Sequence, residues 1–119
     1  MKDSHEESYY RLLHIQEAIV TIEKFSTGET LQSFCENEML NNAIMMQFII
    51  IGEAIVHVET EKLDKYDFPW YKVKSFRNMI AHEYFNIKLP AVWLIIESNL
   101  QPLKDMVQSI LDNEFKYPS

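Results

Sequence analysis

The chain has 119 residues, 47% of them apolar, 24% charged and 13% aromatic, with a formal net charge of −7. That is ample material for one core, too little length for a second domain beside it, and it excludes an intrinsically disordered chain. A single cysteine, Cys35, excludes an internal disulfide and a thiol-rich zinc site, and two glycines with four prolines are too few for the turns of an all-β protein.

The acidic balance argues against a broad electrostatic footprint for nucleic acid. Its distribution is uneven. Residues 62–88 carry Lys62, Lys65, Lys72, Lys74, Arg77 and Lys88 against Asp64, Asp67 and Glu83, a local excess of three positive charges in an acidic chain. Such a segment suits a phosphate or a short stretch of nucleic acid, with Lys72 and Lys74 as candidate RNA contacts, and equally suits a solvated lysine-bearing loop. Met1 to Ser8 is polar and acidic without an apolar segment of the secretory type. The most apolar run, Ala43 to Ile51, is too short to cross a bilayer and contains Gln47. A reducing cytoplasm is the expected location, with no membrane association.

In chain order, Leu12, Ile15, Ile19 and Ile22 repeat at helical spacing between Arg11, Glu17 and Glu23, predicting a helix from about Ser4 to Phe25. Ser26-Thr27-Gly28 supplies a stop, and a short helical turn fits Leu31 to Phe34. Asn37 is a natural N-cap for a second long helix reaching about Val58, with Glu38 favourably placed in its first turn. The middle of that helix, Ala43 to Ile51, is apolar nearly all round, so it must be central or bury a second face against another copy of the chain. Gly52 within it predicts the close approach of another backbone. Met39, Met45 and Met46 suit adaptable packing at such a subunit contact. Residues 59–69 are polar and read as a loop ending in Phe68-Pro69, after which a third helix covers 69–81. A fourth spans about Leu89 to Glu114, opened by Pro90 and kinked at Pro102. The expected fold is all-α, an antiparallel bundle of four to five helices forming a single domain over residues 1–119.

The chemistry-bearing run is Phe76-Arg77-Asn78-Met79-Ile80-Ala81-His82-Glu83-Tyr84-Phe85. Arg77 offers a permanent cation whose planar fork of donors matches phosphoryl oxygens and the added charge of a pentacoordinate transition state. His82 is an imidazole able to move a proton at a ribose hydroxyl or leaving oxygen, so the two together suit RNA cleavage without a metal or other cofactor. Five residues on a regular helix leave these side chains about 140° apart, so the reading needs a helix ending near Ala81 that lets His82 swing back. In an extended exit Tyr84 would point the same way as His82, and Asn78 is the adjacent polar group able to orient a phosphate or a side chain. Taken singly, each has an ordinary role: His82 as a helix C-terminal cation, Arg77 as an ion-pair partner, Tyr84 as a core aromatic. Glu53 inside the apolar helix either has its pKa raised by burial or pairs with Arg77 across the bundle. With His57 at i,i+4 it makes a polar contact and too few ligands for a metal. Trp70 and Trp93 fit core packing better than base stacking.

Phe68-Pro69-Trp70, Arg77-Asn78, His82-Glu83-Tyr84-Phe85 and Val92-Trp93, with Ile50-Ile51-Gly52-Glu53-Ala54 upstream, resemble the signature stretches of HepT-like toxins, a branch of the HEPN family. The resemblance implies a HEPN-like helical bundle that dimerises through helices including the central apolar one and brings two Arg-x4-His motifs into one cleft. It implies a metal-independent endoribonuclease toxin of a type II-like toxin–antitoxin pair, acting on RNA such as tRNA rather than DNA. Its partner would be a minimal nucleotidyltransferase of the MNT type that silences it by transferring AMP to the motif tyrosine. By position, Arg77 and His82 become catalytic, Asn78 supporting, and Tyr84 the AMP acceptor; Glu53 is a further supporting candidate through its pairing with Arg77. The alternative is a non-catalytic helical partner that presents substrate or nucleotide to the nucleotidyltransferase.

Overall fold

The computed structural model describes residues 4–83 and 86–115, which form seven helices and no strand. They are α1 (Ser4–Ser26), α2 (Leu31–Glu36), α3 (Glu38–Ile55), α4 (Thr60–Leu63), α5 (Trp70–His82), α6 (Leu89–Ser98) and α7 (Leu100–Glu114). Five long helices joined by short connections make the expected bundle, with α2 and α4 as single-turn or near-single-turn additions.

The helix boundaries follow from local chemistry. Gly28 adopts φ +78°, a left-handed conformation that ends α1 at no steric cost to a residue without a Cβ. Thr30 and Ser33 then close a reciprocal capping box on α2. The Asn37 side chain accepts the Leu40 N–H at 3.0 Å and starts α3. Buried Asn41 donates to the Phe34 carbonyl at 3.1 Å, which ties the two helices together.

α3 lies at the centre, packed on one side by α1 and on another by α5. Leu12, Ile15, Ile19 and Ile22 of α1 and Ile44, Ile51 and Ile55 of α3 are fully buried, each contributing about 1.5–3 kcal/mol in area removed from water. Helix α3 nevertheless leaves Met39, Met46 and Ile50 exposed. Of the three methionines expected at a subunit contact, Met45 belongs to the core instead. Trp70 and Trp93 are core residues, the first donating its indole N–H to the Leu63 carbonyl at 3.0 Å, the second stacked at a tilt on Phe34.

Two sequence expectations are corrected. The segment 59–69 contains a helical turn, α4, because Leu63 and the Lys62 stem find burial there and the Ser8 hydroxyl accepts the Glu59 N–H at 2.9 Å. The last helix is two helices meeting at Asn99, not one helix kinked at Pro102. Pro102 occupies the first turn of α7, where its missing N–H has no partner to lose.

Candidate active site

Helix α5 is fastened to α3 by one face. Ile80 is buried, Phe76 meets Phe48 edge-on at 5.1 Å, and Trp70 anchors the first turn. Between these contacts the two helices approach at Gly52, where a Cβ would collide with the Cβ and Cγ of Arg77 and lie within 3.4 Å of its Cα. The missing side chain of Gly52 is therefore the slot that receives the Arg77 stem. The sequence flagged a close approach at this glycine, but its partner is twenty-five positions away and no local pattern names it.

That slot fixes where the guanidinium can go. Its Nη2 forms an ion pair with the Glu53 carboxylate, and its Nη1 donates to the Asn78 side-chain oxygen at 2.8 Å. The Nε–H is shut from solvent with no hydrogen-bond acceptor, one of the less comfortable situations for a buried donor. Arg77 is thus held by an acid on one side and an amide on the other, and is about one third exposed.

Helix α5 does not end at Ala81. The Glu83 N–H bonds to the Met79 carbonyl at 2.8 Å, carrying the helix through His82 because no glycine or proline interrupts the last turn. The expected swing of His82 after an earlier helix end is corrected accordingly. His82 is exposed on the final turn, i+4 from Asn78 and so on the same helix face. Asn78 bridges the 140° gap in a different way from a helix end: it draws the Arg77 guanidinium toward the face that carries His82. Tyr84 lies outside the described residues.

The electrostatics differ from the sequence picture. Of the six cations in residues 62–88, Lys62, Lys65 and Arg77 are paired with Glu59, Glu114 and Glu53, all from outside that window, and these cancel its excess of three charges. Lys72 is exposed and Lys74 half-buried, and neither forms an ion pair with a described residue. Glu53 and His57 do not act together, since α3 ends at Ile55 and the His57 ring turns its Nδ1 to Glu7 at 3.8 Å.

The helical bundle and the order of a pinned arginine and, five residues on, an exposed histidine agree with what the sequence resemblance implied. A family model described as ribonuclease HepT-like matches residues 15–110. The chain belongs to the HepT-like ribonuclease family. It is 29% identical over 102 residues to a Methanocaldococcus jannaschii protein named gamma-glutamylcyclotransferase and putative RNase, covering 85% of this chain and 46% of that longer one. It is 29% identical over 101 residues to a putative RNase of Caldanaerobacter subterraneus, covering 84% and 89% of the two chains. It is 26% identical over 111 residues to a probable ribonuclease HepT of Thermococcus cleftensis, covering 92% and 98%. No solved structure matches the chain.

Proposed function

We propose that the protein is an endoribonuclease that cleaves RNA without a metal ion, Arg77 holding the scissile phosphate and His82 moving the proton. The observation that supports this most is the Asn78 bridge, which turns the guanidinium toward the helix face of His82. An incoming phosphate would exchange with Glu53 for the fork of Arg77, gaining charge-assisted hydrogen bonds that strengthen as the phosphorus becomes pentacoordinate. His82 would then take or give a proton at the ribose hydroxyl or the leaving oxygen. Lys72 and Lys74 are the cations available to the flanking strand, and the acidic remainder of the chain favours local recognition of a structured RNA such as tRNA over duplex wrapping.

The working unit in this reading is a homodimer. Met39, Met46 and Ile50 are exposed on α3 and fall at i, i+7 and i+11, one stripe that continues to Glu53 at i+14. A second copy seated on it would bring two Arg77–His82 sets to one cleft. The toxin role, the nucleotidyltransferase partner and Tyr84 as AMP acceptor complete the proposal. Each AMP adds a purine and about one negative charge beside Arg77, which would fill the phosphate site and repel RNA. Among the described residues no helix is long and apolar enough to cross a membrane.

The test is to incubate wild-type protein and His82→Ala with tRNA in the presence of a chelator. Cleavage by the wild type and a drop of about 10²–10⁴-fold in the variant is expected. RNA left equally intact by both would overturn the proposal. It would favour instead a non-catalytic partner of the nucleotidyltransferase, a reading that draws on the occupation of Arg77 by Glu53. Co-expression with the nucleotidyltransferase should add the mass of AMP to the wild type and not to Tyr84→Phe.

A further inference from the structure

Helix α5 differs from the rest of the molecule in charge. Among the described residues, every helix except α5 carries at least one carboxylate, whereas α5 holds Lys72, Lys74, Arg77 and His82 and no acid. Lys72 stands in its first turn, where the positive end of the helix dipole disfavours a cation and no side chain caps the helix. An acid at that position would suit the helix better. In a chain of net charge −7, this composition suits contact with a polyanion.

The outward face of α5 is ordered. Tyr71, Ser75, Asn78 and His82 follow at i, i+4, i+7 and i+11, which places them within about 60° of one another around the helix. All four are exposed, and they lie on the opposite side from buried Ile80. Lys74 and Lys72 flank the row, one on each side, at about 60° and 100° from Tyr71. Neither forms an ion pair with a described residue. Tyr71 is 67% exposed and makes no hydrogen bond or ring contact with a described residue.

The row contains part of the proposed active site. Asn78 accepts the hydrogen bond from Arg77 Nη1 at 2.8 Å, and His82 is the proposed proton carrier. Tyr71 stands three turns before His82 on the same face, about 16 Å along the axis. An unpaired strand covers that distance in a few nucleotides.

We propose that this outward face of α5 is the track of the RNA strand, and that Tyr71 is a stacking platform for one unpaired base a few nucleotides from the phosphate held at Arg77. This rests on the reading of Arg77 and His82 as an RNA-cleaving pair. The strand lies along the helix, with Lys72 and Lys74 meeting phosphates on either side of the row and Ser75 offering its hydroxyl between them. Every base has a flat face that can stack on the tyrosine ring, so the platform selects unpaired RNA and not a sequence. A duplex keeps its bases stacked on one another and presents none to the ring.

The experiment uses the full-length His82→Ala protein and a short single-stranded RNA, with a set of otherwise identical strands that each lack one base. In that background Tyr71→Ala should weaken binding by about tenfold, within the range for loss of one stacked base, and Tyr71→Phe should leave it unchanged. One of the base-deleted strands should bind Tyr71→Ala and its parent alike. Lys72→Ala and Lys74→Ala should each lower the slope of log affinity against log salt by about 0.7. With His82 restored, Tyr71→Ala should raise KM for cleavage and leave kcat nearly unchanged, because the ring touches none of the reacting atoms. Unchanged binding in Tyr71→Ala, or an equal loss in Tyr71→Phe, would overturn the platform. So would a lower mass for Tyr71→Ala in light scattering with RNA affinity retained, which would give this face to a second copy. Cleavage by the wild type separates the two readings. If it cuts the RNA while Tyr71→Ala binds as before, the platform falls and the ribonuclease stands. If it cuts nothing while Tyr71 still governs binding, the track stands and the cleaving pair falls.

Discussion

Two of the charged clusters that join segments distant in sequence are built to opposite ends. At one, Glu114 of α7 accepts from Lys65 at 2.8 Å and from the Tyr66 hydroxyl at 3.0 Å, so both carboxylate oxygens are engaged. The Lys65 ammonium holds the Glu114 carboxyl below its ordinary pKa, and burial pushes the Tyr66 phenol up. That cluster ties the end of the last helix to the connection before α5, with both oxygens of the acid engaged. At the other, Arg77 is divided between Glu53 and Asn78, its Nε–H has no acceptor, and an exposed histidine stands one turn beyond the amide. The first cluster fixes an acid with two donors; the second holds a partly exposed cation between an acid and an amide, where an anion competes with the acid for it.

The contrast can be broken most directly at its cations. Arg77→Ala should lower RNA cleavage by about 10²–10³-fold, the range seen when one transition-state donor is removed, while Lys65→Ala should leave the cleavage rate unchanged. Equal losses in a cleavage assay would show that the two clusters do not differ in kind.

The two glycines sharpen the same point. An alanine in a helix interior ordinarily gains about 1 kcal/mol over glycine. At Gly52 the added Cβ meets the rigid base of the Arg77 side chain. Gly52→Ala should therefore lose about 1–3 kcal/mol to overpacking in chemical denaturation, and displacement of Arg77 should lower cleavage by about tenfold or more. Gly28 has open space around it and a positive φ. Gly28→Ala should cost about 1 kcal/mol of backbone strain and leave cleavage as it was.

Met46→Lys places a charge in the exposed α3 stripe, away from the core. If the stripe carries the proposed dimer, light scattering should show a dimer for the wild type and a monomer for the variant, with helical content retained and cleavage reduced. An unchanged mass would separate the stripe from dimer formation.

The smallest effect belongs to the cluster at Glu114. Because the folded pKa of Glu114 is lowered, its contribution to stability is present above the ordinary value of 4.5 and fades as pH falls through the lower folded value. Glu114→Gln should lower the thermal midpoint slightly at neutral pH, and the difference from wild type should vanish in acid. Lys65 is exposed enough for solvent to screen the pair, so a shift of a degree or two is the scale to look for, about what a surface ion pair supports.

Much of this was legible in the chain. The spacing of Leu12, Ile15, Ile19 and Ile22, the cap at Asn37 and the stop at Gly28 are properties of a few neighbouring residues, and they set the helices nearly where they stand. Failures fell where tertiary burial overrode local pattern: a polar stretch became α4 because Leu63 had a core to enter, and a continuous apolar repeat was divided at Asn99. His82 stayed in the helix because nothing before it stops one.

The sequence by itself determined an all-helical chain, a central apolar helix and the order Arg77, Asn78, His82, with the resemblance those residues carry. It also raised two fates for Glu53 without choosing between them. The packing of α5 on α3 decided for the pair with Arg77 and seated the arginine in the space left by Gly52. The reason is geometric. Helical periodicity says which residues share a face, but which faces meet, and at what height along each helix, is fixed only when the whole core closes.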